Sequence, residues 1–320
     1  MKCRACRGPA AVIELRRHNA AFCARCFVTY CHTQVARAIE DHAMLQPGQR
    51  CLVAVSGGKD SLALWAILLE LGYQADGLYI GLGIGGYSGP SAEYVRRFAE
   101  QRSVRLTEVD LPGDHGFDVR SGAAADGRAP CSACGLSKRH IFDRSALEGG
   151  YDVVATGHNL DDEAAVLLGN VLHWDLGFMA RQRPMLPGGG GFPCKVKPLV
   201  RLSERETAAY CIVRGIDYQV EECPMAAGNR HLGYKDALNA IEERSPGTKA
   251  SFYSGFLARA SELVSHVAEE ERAGLHPCTN CGAPTTASLC AFCRLVKRSA
   301  AKSQQGAGGR ETVPVEAGAP

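Results

Sequence analysis

The chain has 320 residues, of which 46% are hydrophobic and 22% charged, with a formal net charge of +2, the composition of an ordinary globular protein with room for one sizeable core and smaller modules. So small a charge excludes a uniformly basic nucleic-acid binder, and leaves nucleic-acid contact to a local patch. No apolar run reaches the roughly 18 residues of a membrane helix, and Met1-Lys2-Cys3-Arg4 opens no signal-peptide core, so a cytoplasmic protein is expected. In that compartment thiols stay reduced, and 15 cysteines point to metal rather than to disulfides.

In chain order, the first feature is a pair of C-x-x-C motifs, Cys3/Cys6 and Cys23/Cys26, with the 16 residues from Arg7 to Phe22 between them. Such spacing turns two thiolates toward one ion, and four thiolates in a tetrahedron make the closed, structural kind of zinc site. Gly8 and Pro9 suit a knuckle turn after the first pair. Residues 1–30 are therefore expected to be a zinc module. A linking helix follows over 31–49, with helical spacing from Thr33 to Met44 and a stop at Pro47-Gly48.

Cys51-Leu52-Val53-Ala54-Val55 reads as a buried strand that runs straight into Ser56-Gly57-Gly58-Lys59-Asp60-Ser61 and a helix. Glycine lets the backbone approach a phosphate, and the free N–H groups and dipole of a helix N-terminus attract anions. Lys59 and Ser61 add a cation and a hydroxyl. The spacing does not fit a Walker loop, which needs four residues between its glycines; it resembles the PP-loop of ATP pyrophosphatases. The plainer reading, a Gly-Gly turn between strand and helix, accounts for fewer of these positions. Ala54, Val55 and the six loop residues, with Ile80 at the end of the next strand, form the candidate ATP site.

Leu62 to Leu71 has helical spacing with Gly72 as its cap; Ala75 to Ile80 is a strand, Ser91 to Glu100 a helix, and Arg105 to Val109 a strand. Asp114 to Pro130 is rich in glycine and alanine and is expected to be a mobile loop. Ser137 to Glu148 is a helix and Asp152 to Ala155 a fourth strand. This βαβα alternation predicts an α/β fold: a parallel sheet covered by helices on both faces, with its ligand at the carboxyl ends of the strands.

Cys131-Ser132-Ala133-Cys134 has no second C-x-x-C pair beside it, and the nearest third ligand is Cys223 in Glu221-Glu222-Cys223-Pro224. Three cysteines from two separated loops suit an iron–sulfur cluster with one iron left open. A redox dithiol, a persulfide-carrying cysteine and inert thiols are the rival readings. Cys31, Cys51, Cys194 and Cys211 read as buried apolar residues. In Thr156-Gly157-His158-Asn159-Leu160-Asp161-Asp162-Glu163, Gly157 permits close approach. Asp161 and Glu163 suit a solvated helix N-terminus, whereas Asp162 is a candidate for holding Mg²⁺ against pyrophosphate or orienting the acceptor.

Pro184 to Pro193, with four consecutive glycines, reads as a flexible excursion, and Val196 to Leu199 as an edge strand. Ser203-Glu204-Arg205-Glu206 is a capping box for a helix through Val213; Gly215 to Gln219 is expected to return to the sheet, closing a catalytic domain over 50–228. Helices are expected at Tyr234 to Glu243 and Phe252 to Glu271, within a helical region 229–274. There Lys235, Lys249, Arg259 and His266 suit either a solvated face or RNA contact. Cys278/Cys281 and Cys290/Cys293, with eight residues between the pairs, predict a second zinc module at 275–298. The tail from Ser299 to Pro320 lacks periodicity and is expected to be disordered.

The terminal four-cysteine modules together with S-G-G-K-D-S, C-S-A-C-G-L-S-K-R, A-T-G-H-N-L-D-D-E-A and E-E-C-P resemble the tRNA 2-thiolation enzymes related to TtuA and to the eukaryotic and archaeal wobble-uridine thiolation proteins. The stretch Leu82 to Ser88 (L-G-I-G-x-Y-S) and the short module linkers look most like TtuA. The resemblance spans residues 1 to about 296. One departure is a first zinc set made only of cysteine, where relatives can carry histidine. Within that family Cys131, Cys134 and Cys223 match the three ligands of a [4Fe-4S] cluster, and Lys138 and Asp162 match residues at the ATP and acceptor site. The resemblance implies a PP-loop ATP pyrophosphatase (HUP-like) domain between the zinc modules, and activation of the uracil C2 oxygen by adenylation. It further implies sulfur from a thiocarboxylated ubiquitin-like carrier protein, 2-thiouridine derivatives at position 54 of the tRNA T-loop, and a homodimer. Wobble position 34, a PP-loop ligase or amidotransferase on a small molecule, and a non-catalytic zinc-ribbon RNA scaffold are the alternatives. A ligase has no use for Cys131, Cys134 and Cys223, and a scaffold has none for Asp60 and Ser61.

Overall fold

A computed structural model describes residues 1–226, 230–264, 267 and 273–308. Its centre is a six-stranded sheet. β3 (Arg50–Val55) lies between β4 (Gln74–Gly81) and β6 (Val153–Thr156), with β5 (Leu106–Asp110) outside β4, and β8 (Cys194–Val196) and β7 (Met185–Leu186) beyond β6. All neighbours pair in parallel except the β7–β8 hairpin. The two remaining hairpins, β1 (Ile13–Leu15) with β2 (Ala20–Phe22) and β9 (His276–Pro277) with β10 (Pro284–Thr285), belong to the cysteine modules.

The helices in chain order are α1 (Ala24–Asp41), α2 (Lys59–Glu70), α3 (Ser88–Arg102), α4 (Leu111–His115), α5 (Val119–Asp126), α6 (Pro130–Glu148), α7 (Leu160–His173), α8 (Leu176–Ala180), α9 (Glu204–Arg214), α10 (Arg230–Arg244), α11 (Thr248–Arg259) and α12 (Ala291–Gly308). Strand β3 is apolar along its length because both faces are covered. Cys51, Val53 and Val55 join the main core with Leu62 to Leu68 of α2 and with Phe27, Cys31 and Val35 of α1. Leu52 points the other way, against Leu78, Val154 and Ala146 of α6. The four single cysteines are accounted for as expected in part: Cys31, Cys51 and Cys211 are buried and Cys194 half-buried.

Several expected boundaries move for local reasons. Helix α1 starts at Ala24 because Cys23 itself is the N-cap, so metal module and linking helix share residues. The expected mobile loop 114–130 is largely two short helices. Asp110 caps the first through Gly113 N (3.1 Å), and Asp118 and Ser121 form a capping box for the second. Cys131 and Cys134 are not in a loop; Pro130 at the first helical position starts α6 seven residues earlier than the periodicity marks. The four-glycine excursion is the tip of the β7–β8 hairpin, bridged at Gly189 and Phe192. That hairpin makes β7 the edge; Lys197 leaves the sheet, and Pro198–Arg201 turns as a 3-10 helix. Residues 215–219 add no strand, although Gln219 N donates to Gly57 O at 2.9 Å and so ties this stretch to the phosphate loop. α11 ends at Arg259, and His266 lies outside the described residues. α12 carries helix through Gly308, into the stretch expected to be disordered; residues 309–320 lie outside those described.

Candidate active site

Strand order reverses at β3, since the chain moves from β3 to β4 and β5 on one side and then crosses to β6 on the other. A crevice outside the carboxyl ends of the strands is expected at such a point. A cavity of about 420 Å³ lies there, lined by Ala54, Val55, Ser56, Asp60, Ser61, Ile80, Lys138 and Gly157 of the candidate set. Tyr79, Tyr87, Ser91, Arg139 and Phe142 are among the other residues of its wall and were not named as site candidates from the sequence. Only the position of Tyr79 at a strand end signalled it; its hydroxyl donates to Ser88 O at 2.7 Å and so holds α3 against the crevice.

The loop is built by short contacts. Ser56 N donates to Ser61 Oγ at 3.1 Å, and Ser61 Oγ donates to Gly58 O at 2.9 Å. Gly57 has φ +79°, and a Cβ there would sit 2.5 Å from Ser91 O; Gly58 has an ordinary φ of −81°. At Gly157 a Cβ would lie 2.9 Å from Ser61 N, so the β6 turn and the phosphate loop touch through this one glycine.

The charged residues are arranged differently from expectation. Lys59 turns to carboxylates, with Nζ 2.7 Å from Glu204 Oε1 and 3.1 Å from Asp60 Oδ2. Lys235 of α10 bridges Asp162 (2.6 Å) and the same Glu204 (3.1 Å). Burial alone would raise the Glu204 carboxyl, but Lys59 and Lys235 bring it down to about 2. Burial pushes Asp60 up in spite of Lys59, and its Oδ1 accepts from Thr207 Oγ1 and Asn159 Nδ2. Burial would lower Lys235, but Asp162 and Glu204 raise it. Asp162 also completes a capping box with Asn159 at the start of α7.

Asp161 and Glu163 are not solvated. Asp161 is paired with buried Lys249, and Glu163 accepts from Lys197 and Gln182 at 2.8 Å and Tyr253 at 3.1 Å. Lys249 is thus a buried counter-ion and Lys235 a half-buried one rather than parts of a solvated face; Arg259 is exposed. No periodicity distinguishes a buried acid from an exposed one at a helix N-terminus, which is why the solvated helix start expected for Asp161 and Glu163 is not found.

Cys131, Cys134 and Lys138 recur at helical spacing on α6, so the thiols continue the row of the nucleotide cavity's lining by one turn. Cys223 and Met225 pack against this end, with Cys131 Sγ donating to Met225 O at 3.1 Å. Burial raises the Cys131 thiol, with Cys134 and Cys223 adding to it and Lys138 opposing. A second cavity of about 510 Å³ opens on Cys131, bounded also by Asn170, His173 and Tyr234.

Two groups of four cysteines have sulfurs all within 4.8 Å of one another, Cys3/Cys6/Cys23/Cys26 and Cys278/Cys281/Cys290/Cys293. Backbone N–H groups support the sulfurs, Cys290 N donating to Cys278 Sγ at 3.2 Å. These donor sets fit metal binding. Among the described residues, Cys131, Cys134 and Cys223 do not form a group as tight as these two.

Fold and site define a PP-loop class of α/β protein, with a mostly parallel sheet, a cavity over its Ser-Gly-Gly loop, and a cysteine metal group at each end. Residues 2–28 match the family model described as "2-thiouridine synthetase TtuA, N-terminal LIM domain". The tRNA-5-methyluridine(54) 2-sulfurtransferase of Thermus thermophilus is 50% identical over 92% of this chain and 91% of its own, and that of Pyrococcus horikoshii 41% over 92% and 93%. The U34-tRNA thiolase NcsA of Methanococcus maripaludis, solved with its [4Fe-4S] cluster, shares the fold with a TM-score of 0.77 at 24% identity, over 93% of this chain and 96% of its own. The chain belongs to the TtuA-like tRNA 2-thiouridine synthetase family, and it is a tRNA 2-thiolation sulfurtransferase. Among its described residues, no helix is long and apolar enough to cross a membrane.

Proposed function

We propose that this enzyme makes 2-thiouridine, as 5-methyl-2-thiouridine, at position 54 of the tRNA T-loop, using ATP to activate the uracil C2 oxygen. The observation that carries the reading is the continuity of α6, along which Gly135, Lys138 and Arg139 line the nucleotide cavity while Cys131 lines the next. An activated C2 and an incoming sulfur must meet, and α6 puts the two functions one helical turn apart.

The first cavity has the volume and mixed lining of a nucleotide site, with Ile80, Leu82 and Phe142 for the base and Ser56, Ser61 and Lys138 toward the phosphates. The uracil C2 oxygen attacks the α-phosphorus and pyrophosphate leaves, its charge met by loop N–H groups and Lys138. Sulfur then attacks C2, the C2–O bond breaks, and AMP departs with the oxygen. Asp162, here paired with Lys235, would be the protein carboxylate for a magnesium ion that neutralises phosphate charge. Cys131, Cys134 and Cys223 would hold a [4Fe-4S] cluster, whose contribution is an iron with an open position for a sulfur ligand. Zinc would occupy the two four-cysteine groups. The sulfur donor is a thiocarboxylated ubiquitin-like protein, and the working form is a homodimer in the cytoplasm.

Cys223→Ala is expected to abolish 2-thiouridine formation while leaving ATP binding intact; unchanged thiolation would overturn the cluster assignment. Mass mapping of thiolated nucleosides in tRNA from a deletion strain tests the target: loss at position 34 with position 54 intact would overturn position 54.

A further inference from the structure

The cavity that opens on Cys131 ends in a feature that neither the fold nor the sulfur chemistry requires. Trp174 stops α7 with a left-handed backbone (φ 52°, ψ 37°). Glycine is the residue that normally takes this position at a helix end, because a side chain there is strained. Here it is filled by the largest side chain, left 75% exposed, and Phe178 of α8 is 57% exposed nearby in sequence. Among the described residues, four other non-glycine residues, Arg7, Asn19, Ala43 and Ser103, take this conformation, but none has so large a side chain, and strain kept at an exposed tryptophan invites a functional reading. The chain has two tryptophans, and the other, Trp65, is fully buried with its indole N–H on Ala75 O at 2.9 Å.

Trp174 lies between His173 and Asp175, both of which line the cavity, as does Phe178. Cations lie among the aromatics: the Arg181 guanidinium stands 4.9 Å over the Phe178 ring, and Arg230 and His231 also line the cavity. The one carboxylate in this wall, Asp175, accepts from Phe178 N at 3.0 Å and so serves α8. Flat rings alternating with cations match unpaired nucleobases and the phosphates between them.

We infer that Trp174 and Phe178 are a stacking platform for unpaired bases of the tRNA substrate, at the mouth of the cavity by which the target uridine reaches Cys131. This rests on the tRNA-modifying activity of the family, and on no choice of position, sulfur donor or nucleotide. The loop flanking the target uridine stacks on the platform, and Arg181 and Arg230 meet its backbone.

The test is binding of an in vitro transcribed, unmodified tRNA to the purified protein, without ATP or sulfur donor. Adding tRNA should quench the Trp174 emission while that of Trp65 persists. Trp174→Ala should weaken binding about ten-fold, the scale of one lost base stack. The slope of log affinity against log salt should stay the same, because phosphate contacts are kept. Trp174→Phe should restore most of the affinity relative to alanine, and if Trp174→Ala fails to fold by circular dichroism, the emission change and a weaker-binding Phe178→Ala carry the test. Unchanged emission at saturating tRNA, with wild-type affinity in the variants, would overturn the platform. So would variants that bind tRNA normally but raise KM for a protein sulfur donor, which would make this face a protein-docking surface. If the wild-type protein binds tRNA but thiolates another position, the platform stands and the position 54 assignment falls.

Discussion

Gly57 and Gly58 look alike in the sequence and have different jobs. Gly57 carries the left-handed backbone and the contact with Ser91 O, which a methyl group would invade; Gly58 is an extended N-cap with Ser56 Oγ as its nearest neighbour, at 3.6 Å. Gly57→Ala is therefore expected to cost upwards of ~1–2 kcal/mol and to distort the loop, with a fall in Tm and loss of ATP binding. Gly58→Ala should stay within about 1 kcal/mol of wild type. Equal thermal shifts for the two would refute this division. Lys249 presents a second case, since its partner Asp161 is as buried as it is and also accepts from Glu204 N at 2.9 Å. Lys249→Met leaves that carboxylate uncompensated, a loss of about 3–5 kcal/mol in denaturant unfolding, and Asp161→Asn in the same chain should recover part of it. Motifs made of unusual residue types, such as the cysteines and the Ser-Gly-Gly loop, were legible in the sequence. Lys59, Lys235 and Lys249 were not, because which acid a lysine meets is decided by elements far apart in the chain.

At the scale of elements, α9 does more than its capping box announced. Its first residue, Glu204, holds Lys59 of the phosphate loop and Lys235 of α10, so three elements share one carboxylate. The Glu204 carboxyl is lowered in the fold from 4.5 to about 2. The folded state therefore favours its ionised form, and its stabilisation is complete above the unfolded value and fades as pH falls from about 4.5 toward 2. Glu204→Gln should be less stable than wild type at neutral pH, and the gap in urea midpoint should close on acidification. A gap that is constant with pH would show that the charge is not what matters. The helices α4 and α5 show what pattern reading overlooks: Gly and Ala suggested a loop, while Asp110 and Asp118 were capping helices of five and eight residues, too short for a periodic signal. The βαβα alternation was legible for the opposite reason, as β3 and β6 are short apolar runs and α2, α3 and α6 each span several turns.

For the molecule as a whole, the cysteine groups act as fasteners for the two ends. The first holds β1 and β2, from which Arg17 reaches Glu206 of α9 at 2.6 Å. The second holds α12 against α5 and α6, where Phe292 stacks on His140 (ring centroids 4.2 Å apart) and Arg298 pairs with Asp126. Stripping metal with a chelator should lower Tm by several degrees, and elemental analysis should find two zinc ions per chain before treatment. An unaffected Tm after complete zinc removal would make the groups dispensable to the fold. The terminal modules were legible as metal sites from spacing, but not where they dock, because docking surfaces such as His140 and Glu206 carry no periodic mark.

The contact between α12 and α6 also sets an order of events in the life of the chain. Helix α6 carries Cys131 and Cys134, yet the residues that press upon it and its neighbour α5 come more than 150 positions later, with Lys302 Nζ donating to Ala124 O at 3.1 Å. A ribosome delivers the sheet and the phosphate loop first and α12 last. The wall that carries the thiols is thus made long before its brace, and it is complete only when α12 has emerged and folded back onto α5 and α6.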